Sequence, residues 1–128
     1  PVFSDGWLYS RTIAEMRADL AAYETVTLAV VSDRLTDLSY TARYYPMLGM
    51  CFVRIYGKIN ADLNTGYDYD LLNISSRVPS YGAALAVKCG KDVMAIAQSN
   101  GVISLRPIGE NIAASAGWAV YISGFWFA

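Results

Sequence analysis

The sequence predicts a mainly β protein, an antiparallel β-sandwich (jelly-roll-like) or a barrel, with one helix near its N-terminal side. Two observations support this fold class. From residue 26 onward, short runs with a two-residue apolar period are separated by turn signals about every 8–12 residues. Helical spacing occurs once, before these runs, so strands and helices do not alternate as they would in a parallel α/β sheet. We expect one domain over residues 1–128, with a helical lead-in at 1–25 and the sandwich head at 26–128.

The composition is more apolar than that of an average globular domain. Hydrophobic residues make up 55% of the 128 residues and charged residues 16%, against about 25% charged on average. A small domain cannot enclose this much apolar surface, which predicts contact with a partner subunit. The net charge of −1 and the lack of a basic run argue against a nucleic-acid partner. No apolar stretch approaches the roughly 20 residues of a membrane helix, so we expect no membrane insertion.

Residues 11–24 form the predicted helix, with Ser10 or Thr12 as the residue that caps its start. The apolar side chains with helical spacing are Ile13, Met16 and Leu20. A stripe this narrow fits a helix lying on a sheet, which we favour, or the last turns of a coiled-coil stem.

Eight runs carry the two-residue period of a β-strand. They span residues 26–32, 39–45, 50–60, 71–76, 83–89, 92–99, 102–108 and 116–127. The clearest is 50–60, whose apolar side carries Cys51 and Val53. Asn100-Gly101 is a strong signal for a tight turn, and "CGKD" at 89–92 predicts a hairpin turn.

The last predicted strand, 116–127, is apolar on both faces, and five aromatic residues lie within "GWAVYISGFWFA" at 117–128. A strand with two apolar faces lies either at the centre of a sandwich or at a subunit interface. Each aromatic side chain buries on the order of 150–250 Å² when it is covered. We therefore predict an oligomer interface formed by Tyr121, Phe125, Trp126 and Phe127.

The segment "NADLNTGYDYD" at 60–70 is the most polar and aromatic loop of the chain. Saccharides are recognised by flat rings that accept a C–H face of the sugar, and by carboxylates and amides that bond its hydroxyls. The predicted ligand-binding residues that combine these properties are Asn64, Tyr67, Asp68, Tyr69 and Asp70. The alternative is a solvated loop whose Asp and Asn residues serve the turn.

Four further side chains carry charge or rings at predicted solvent-facing positions. Arg54 and Lys58 flank Tyr56 on the predicted outer side of 50–60, which fits a sugar- or phosphate-binding role or a merely solvated strand face. Arg77 lies in a predicted exposed loop and would pair with a carboxylate across an interface or contribute nothing measurable.

The sequence predicts no catalytic residue, no metal and no cofactor. The chain lacks histidine, the commonest general base. Cys51 and Cys89 lie in apolar alternating runs, which favours buried thiols over a disulfide. The loop around Gly66 fails the spacing of a calcium loop, because the glycine comes one position early and no glutamate follows at the twelfth position.

Several motifs follow one another in a fixed order over roughly residues 44–128. A strand with the rhythm "v.v.G.v" is followed by an "lP...rP"-like segment, a "dG.i.l" strand and a closing "yvyisg.w"-like strand. The matching positions are Val53, Ile55, Gly57 and Ile59; residues 72–79; Gly101, Ile103 and Leu105; and residues 121–126. In this order the chain resembles the C-terminal head domain of phage and prophage tail-fibre or baseplate proteins.

The resemblance implies a compact β-sandwich that forms a homotrimer at the tip of a fibre or baseplate spike. It also implies a non-enzymatic receptor-binding role, with a saccharide (glycan) of the bacterial cell surface as the partner. The protein would be part of the virion after synthesis in the bacterial cytoplasm, joined to an upstream fibre or baseplate segment. A start on Pro1 rather than methionine agrees with such a segment. The alternatives are a purely structural trimerisation domain without a ligand, and a small glycoside-active domain that uses carboxylates such as Asp68 and Asp70.

Overall fold

The computed structural model describes residues 12–128 of the chain, and within this part the protein is mainly β, as predicted. Over those residues it contains one helix and nine strands, all paired antiparallel in a single curled sheet. The helix α1 spans Ile13–Ala21. The strands are β1 (Glu24–Thr25), β2 (Leu28–Val30), β3 (Leu35–Tyr45), β4 (Met50–Ile59), β5 (Tyr69–Ile74), β6 (Ala83–Cys89), β7 (Val93–Ala97), β8 (Val102–Pro107) and β9 (Ala119–Phe127).

The strand order across the sheet is β1-β3-β4-β9-β6-β7-β8-β5-β2. β6 serves both halves of the sheet, because residues 83–85 pair with β7 and residues 86–89 pair with β9. The predicted turn at 89–92 joins β6 to β7, but these two strands pair only at the end away from that turn. β6 is therefore the strand at which the sheet bends.

The predicted strand 26–32 is wrong in its bounds: it contains only the short strand β2, and another short strand, β1, precedes it at the opposite edge of the sheet. β1 pairs with β3, whereas β2 pairs with β5 at the other end of the strand order. Only Val26 and Thr27 separate them, so the two edges of the sheet come close together. The Val26 N–H donates to the Ala42 carbonyl at 2.9 Å, and the Thr27 carbonyl accepts from the Ser75 N–H at 3.2 Å. This crossing holds the curled sheet closed along that side.

The inner side of the sheet encloses the hydrophobic core. β4 shows the predicted alternation, since Cys51, Val53, Ile55 and Ile59 are buried and the residues between them face outward. The largest fully buried core side chains include Leu63, Leu71, Leu72, Ile103, Leu105, Ile112 and Ile122. Cys51 and Cys89 are both free thiols; Cys51 is buried as predicted, whereas Cys89 is only half-buried.

β9 lies in the middle of the strand order, between β4 and β6. Its inner side chains Val120, Ile122 and Trp126 are buried, whereas Tyr121 and Phe125 on its other side are exposed. The strand is thus central in the order of the sheet, but it is not covered on both sides, because one of its two apolar faces has no cover within residues 12–128.

Helix α1 begins after Thr12, whose hydroxyl accepts a hydrogen bond from the Glu15 N–H at 3.0 Å. The other predicted cap, Ser10, lies outside the described residues. The apolar stripe is exposed, at 64% for Ile13, 44% for Met16 and 48% for Leu20. The favoured expectation that this stripe packs on the sheet of its own chain is therefore wrong, because no residue of the helix is buried.

Arg77 connects three strands of the fold. Its Nε donates to Glu24 Oε1 at 2.6 Å, and its guanidinium lies 4.0 Å from the centre of the Tyr44 ring. Its carbonyl accepts a 2.6 Å hydrogen bond from Trp126 Nε1. The predicted carboxylate partner of Arg77 thus exists, but it lies within the same chain rather than across an interface.

Candidate functional site

The loop at 60–70 is held against the segment that follows β8. Leu63 is fully buried and forms an isolated bridge with Ile112. The Thr65 N–H donates to Asn111 Oδ1 at 2.9 Å. These contacts fix the position of the loop through its own polar and apolar groups.

Asp68 and Tyr69, two of the predicted ligand-binding residues, are engaged within the chain. Arg106 on β8 donates from Nε to Asp68 Oδ1 at 2.7 Å and from Nη2 to Oδ2 at 3.0 Å. This hydrogen bonding lowers the pKa of the Asp68 carboxyl. The Tyr69 hydroxyl accepts from the Asn64 N–H at 2.7 Å, and the Arg34 guanidinium lies 4.7 Å from the Tyr69 ring centre. Both side chains are therefore held in one orientation.

The five predicted ligand-binding residues do not converge on one cavity. Tyr67 has 65% of its surface exposed and lies at the tip of the loop. Asp70 is exposed on β5, where its carbonyl accepts a 2.6 Å hydrogen bond from the Ser32 hydroxyl. Asp68 lines a depression of about 220 Å³ with Met94, Ile96, Ser104 and Arg106, which includes neither Tyr67 nor Asp70.

A second candidate surface is the solvent side of β3, β4 and β9, called the outer face from here on. The strand registers align its side chains in rungs across the three strands. In order these rungs are Tyr45, Met50 and Phe127; Arg43, Phe52 and Phe125; Thr41, Arg54 and Ser123; and Ser39, Tyr56 and Tyr121. The first two rungs are aromatic and apolar apart from Arg43, and the next two combine hydroxyls, a guanidinium and a tyrosine pair.

Five rings form a continuous chain of contacts at the apolar end, and we call this set the aromatic row. The successive centroid distances are 5.7 Å for Tyr23–Tyr45, 5.4 Å for Tyr45–Phe52, 5.6 Å for Phe52–Phe125 and 6.4 Å for Phe125–Phe127. These distances lie in the range in which aromatic side chains attract one another. The exposed fractions of Phe52, Phe125 and Phe127 are 37%, 49% and 67%. The row is an ordered apolar strip on the surface.

The structure separates the four residues predicted for the oligomer interface. Phe125 and Phe127 belong to the aromatic row, and Tyr121 is exposed two rungs away from Phe125. The prediction for Trp126 is wrong. Its side chain points to the core, is 4% exposed and donates a hydrogen bond to the Arg77 carbonyl. It is buried in its own protomer and has no surface to offer to a partner.

An apolar groove of about 460 Å³ runs beside the aromatic row. Its apolar walls are Leu20 of helix α1, Leu48 of the β3–β4 turn, Tyr45 and Phe52. The exposed stripe of the helix therefore ends at the same apolar surface that the sheet presents.

The other two rungs form a shallow cleft of about 430 Å³, which we call the tyrosine cleft. The side chains that line it from the outer face are Ser39, Thr41, Arg54, Tyr56, Tyr121 and Ser123. The rings of Tyr56 and Tyr121 lie 4.8 Å apart at an interplanar angle of 42°. Within residues 12–128, the side chain of Arg54 makes no ion pair, no hydrogen bond and no ring contact.

The sequence contained part of the signal for these two surfaces. Alternation along 50–60 places Phe52, Arg54 and Tyr56 on one side of β4, as predicted. The partners Ser39 and Tyr121 lie far from them in the sequence, so only the strand registers reveal the cleft.

No cluster of three or more acidic or cysteine side chains within residues 12–128 is arranged to hold a metal ion. The helix of the described chain is too short and too polar to span a membrane. Comparisons with protein-family models, with curated proteins and with solved structures gave no match for this chain. Function is therefore inferred from the residues and their geometry.

Proposed function

We propose that this chain is a head domain of the kind found at the end of phage or prophage tail fibres or baseplate spikes. It assembles as a homotrimer and binds a saccharide of the bacterial cell surface without catalysis. In this proposal the curled sheet is a jelly-roll-like sandwich, helix α1 leads in from an upstream fibre or baseplate segment, and the protein resides in the virion after synthesis in the bacterial cytoplasm.

The observation that carries this proposal is the exposed aromatic row. Phe125 and Phe127 lie on the outer side of β9, in edge or tilted contact with one another and with Phe52. Covering each of these rings would remove on the order of 100 Å² or more of apolar surface from water, at about 25 cal/mol per Å². In a closed three-fold ring the interface is heterologous, so the aromatic row of one copy would pack against a different surface of the next copy, and the groove beside Leu20 and Leu48 is an apolar surface of that kind.

Helix α1 supports the same assembly. Its residues Ile13, Met16 and Leu20 are 64%, 44% and 48% exposed in the described part of the chain. Leu20 also lines the groove beside Phe52. In a trimer, the stripe and the groove would both be covered as the helices run together toward the upstream segment.

The loop at 60–70 supplies the proposed saccharide contact. Tyr67 offers an exposed ring, and Asn64 and Asp70 supply polar groups near the same loop. Arg106 holds the Asp68 carboxylate in place, which lowers the cost of ordering that side chain on binding.

The second candidate is a purely structural trimerisation domain that holds a fibre or baseplate together and binds no ligand. The internal bonds of Asp68 and Tyr69 favour it, since polar groups already used within the chain have less to offer to a sugar. Both candidates require the aromatic row to be an interface, and they differ only at the loop.

Light scattering on the purified chain tests the shared part of both candidates. We expect a mass of three times the 14.0 kDa protomer. Replacing Phe125 and Phe127 together by Ser should give monomers, whereas Tyr67→Ala should leave the trimer intact. A monomeric parent protein would contradict both candidates.

Binding of the labelled protein to bacterial cells and to arrayed surface glycans separates the two candidates. The head-domain proposal expects a signal that Tyr67→Ala abolishes while the trimer persists. A stable trimer with no signal on any glycan would leave the structural role.

A further inference from the structure

We propose that the tyrosine cleft binds an acidic sugar, a saccharide unit that carries a carboxylate. The site lies on the outer face and uses none of the residues of the loop at 60–70. It is complete within one protomer, so it does not depend on trimer formation.

The floor of this site is fixed by the sheet. Tyr56 on β4 is directly paired with Tyr121 on β9, and Ser39 on β3 completes their rung. The adjacent rung places Arg54 between Thr41 and Ser123. Side chains two residues apart on a strand point to the same side, so both rungs face the same cleft.

The charge of the cleft is positive and unbalanced. Within residues 12–128, Lys58, Arg77, Lys91 and Arg106 each have a carboxylate partner, but Arg54 has none. Lys88 of β6, which pairs with Tyr121 at the edge of the cleft, also makes no ion pair among these residues. The carboxylate on this side of the outer face, Asp37, is already paired with Lys58 at 3.8 Å. Within the described residues, no carboxylate is therefore paired with Arg54 in the place that a bound anion would take.

The guanidinium of Arg54 suits an oxyanion, since both a carboxylate and a phosphate match its fork of donors. Arginine presents planar N–H donors that match the two oxygens of a carboxylate, and such a charge-assisted pair is stronger than a neutral hydrogen bond. The hydroxyls of Thr41 and Ser123 on either side can each donate to and accept from a ligand.

The tyrosine pair indicates a sugar ring rather than a small inorganic anion. Two rings 4.8 Å apart and tilted by 42° form an open apolar platform on which the C–H face of a pyranose can lie. The cleft volume of about 430 Å³ falls within the range of small-molecule sites, about 300–1,000 Å³. A ring on Tyr56 and Tyr121 would place a carboxylate substituent toward Arg54 on the next rung.

Saturation-transfer NMR with three matched ligands tests the assignment: glucuronic acid, glucose 6-phosphate and glucose, each at millimolar concentration. We expect glucuronic acid to bind at least about tenfold more tightly than glucose. This preference should weaken as salt is raised. Equal binding of glucose and glucuronic acid, no binding of glucuronic acid, or tighter binding of glucose 6-phosphate would each overturn the proposal.

Variants on the same face identify the groups responsible. Arg54→Gln should abolish the preference for glucuronic acid over glucose, and Tyr121→Ala should weaken the binding of both sugars. Arg34→Gln removes the same charge outside the cleft, where Arg34 lies over the Tyr69 ring, and it is the matched control, since it should leave the preference in place. An unchanged preference in Arg54→Gln would overturn the assignment.

The mass of each variant keeps this proposal distinct from the proposed function. Arg54→Gln and Tyr121→Ala should both retain the parent mass, because neither replaces a ring of the aromatic row. A monomer that binds glucuronic acid would contradict only the trimer. The opposite result has two parts: the parent trimer does not bind glucuronic acid, and Tyr121→Ala lowers the mass. Together these would place Tyr121 in the interface and overturn the cleft proposal.

Discussion

The indole Nε1 of Trp126 donates a 2.6 Å hydrogen bond to the main-chain carbonyl of Arg77. Arg77 adopts a left-handed backbone conformation, with φ at 56°, and its side chain pairs with Glu24. One residue of a loop thus contacts both the central strand β9 and the edge strand β1. The buried indole stabilises the protomer, whereas the neighbouring Phe125 and Phe127 are exposed on the outer face.

Trp126→Phe should lower the free energy of unfolding by about 1–3 kcal/mol, because it removes the bond to Arg77 and leaves unfilled volume in the core. Urea denaturation followed by circular dichroism measures the change. Tyr81→Phe is the control, since Tyr81 is 86% exposed and its substitution should alter the stability by less than about 0.5 kcal/mol. Equal effects of the two substitutions would contradict the structural role of the indole.

Gly124→Ala should destabilise the fold by about 1–3 kcal/mol through overpacking. A Cβ atom at this position would lie 2.7 Å from Leu85 Cδ2 and 3.4 Å from Leu85 Cα, where β9 meets β6. Adding Leu85→Ala to Gly124→Ala should cost less than the sum of the two single substitutions, which a double-mutant cycle in urea measures. Ser123→Ala, on the solvent side of the next position, should be nearly neutral. Strict additivity at 85 and 124 would show that the two residues do not compete for space.

The pair Asp68–Arg106 should stabilise the fold at neutral pH and cease to do so in acid. Hydrogen bonding from Arg106 holds the pKa of Asp68 below its ordinary value of 3.8. A carboxyl whose pKa is lower in the folded than in the unfolded chain adds stability above the unfolded pKa, and that stability is lost as the pH falls through the folded pKa. Because both side chains are nearly half exposed, the contribution is about 0.2–1 kcal/mol.

Denaturant titrations of the parent protein and of Arg106→Gln at about pH 7 and about pH 2 test this linkage. The difference in unfolding free energy between the two proteins should shrink at the lower pH, and also in about 1 M salt at neutral pH. A difference that grows in acid would contradict the assignment.

The two thiols should differ in reactivity toward N-ethylmaleimide. Burial raises the pKa of Cys51 to about 11, so its thiol stays protonated and enclosed at neutral pH. Cys89 is partly exposed. Mass spectrometry should show one adduct on the native protein and two in denaturant, with the native adduct lost in Cys89→Ser. Equal labelling rates for both thiols in the native protein would be inconsistent with the buried position of Cys51.

Local patterns predicted most strands, while long-range pairing decided the rest. β6 occupies 83–89 as predicted, because the two-residue period and the flanking turns are local signals. The strand predicted at 26–32 had the wrong bounds, since β1 at 24–25 and β2 at 28–30 pair with strands at opposite edges of the sheet, which no local pattern shows. The same reason applies to Asp68, whose partner Arg106 is 38 residues away.

The sequence predicted which side chains of β9 share a face, but not which of the two faces is buried in the protomer. Alternation separated Trp126 from Phe125, yet apolar residues on both faces predicted burial of both. Hydrophobicity alone does not distinguish an apolar side chain in the core from one that is exposed on the surface. The register with β3 and β4 makes that distinction, because it shows which face carries the aromatic row.

The central position of β9 has a consequence for biosynthesis. Strands β4 and β6 have no common neighbour until residues 119–127 have left the ribosome. Until β9 emerges, the nascent chain therefore carries two half-sheets with open edges. Such edges can pair with strands of other nascent chains on the same messenger RNA. Chaperone occupancy during synthesis should consequently persist until the ninth strand emerges, and then fall abruptly.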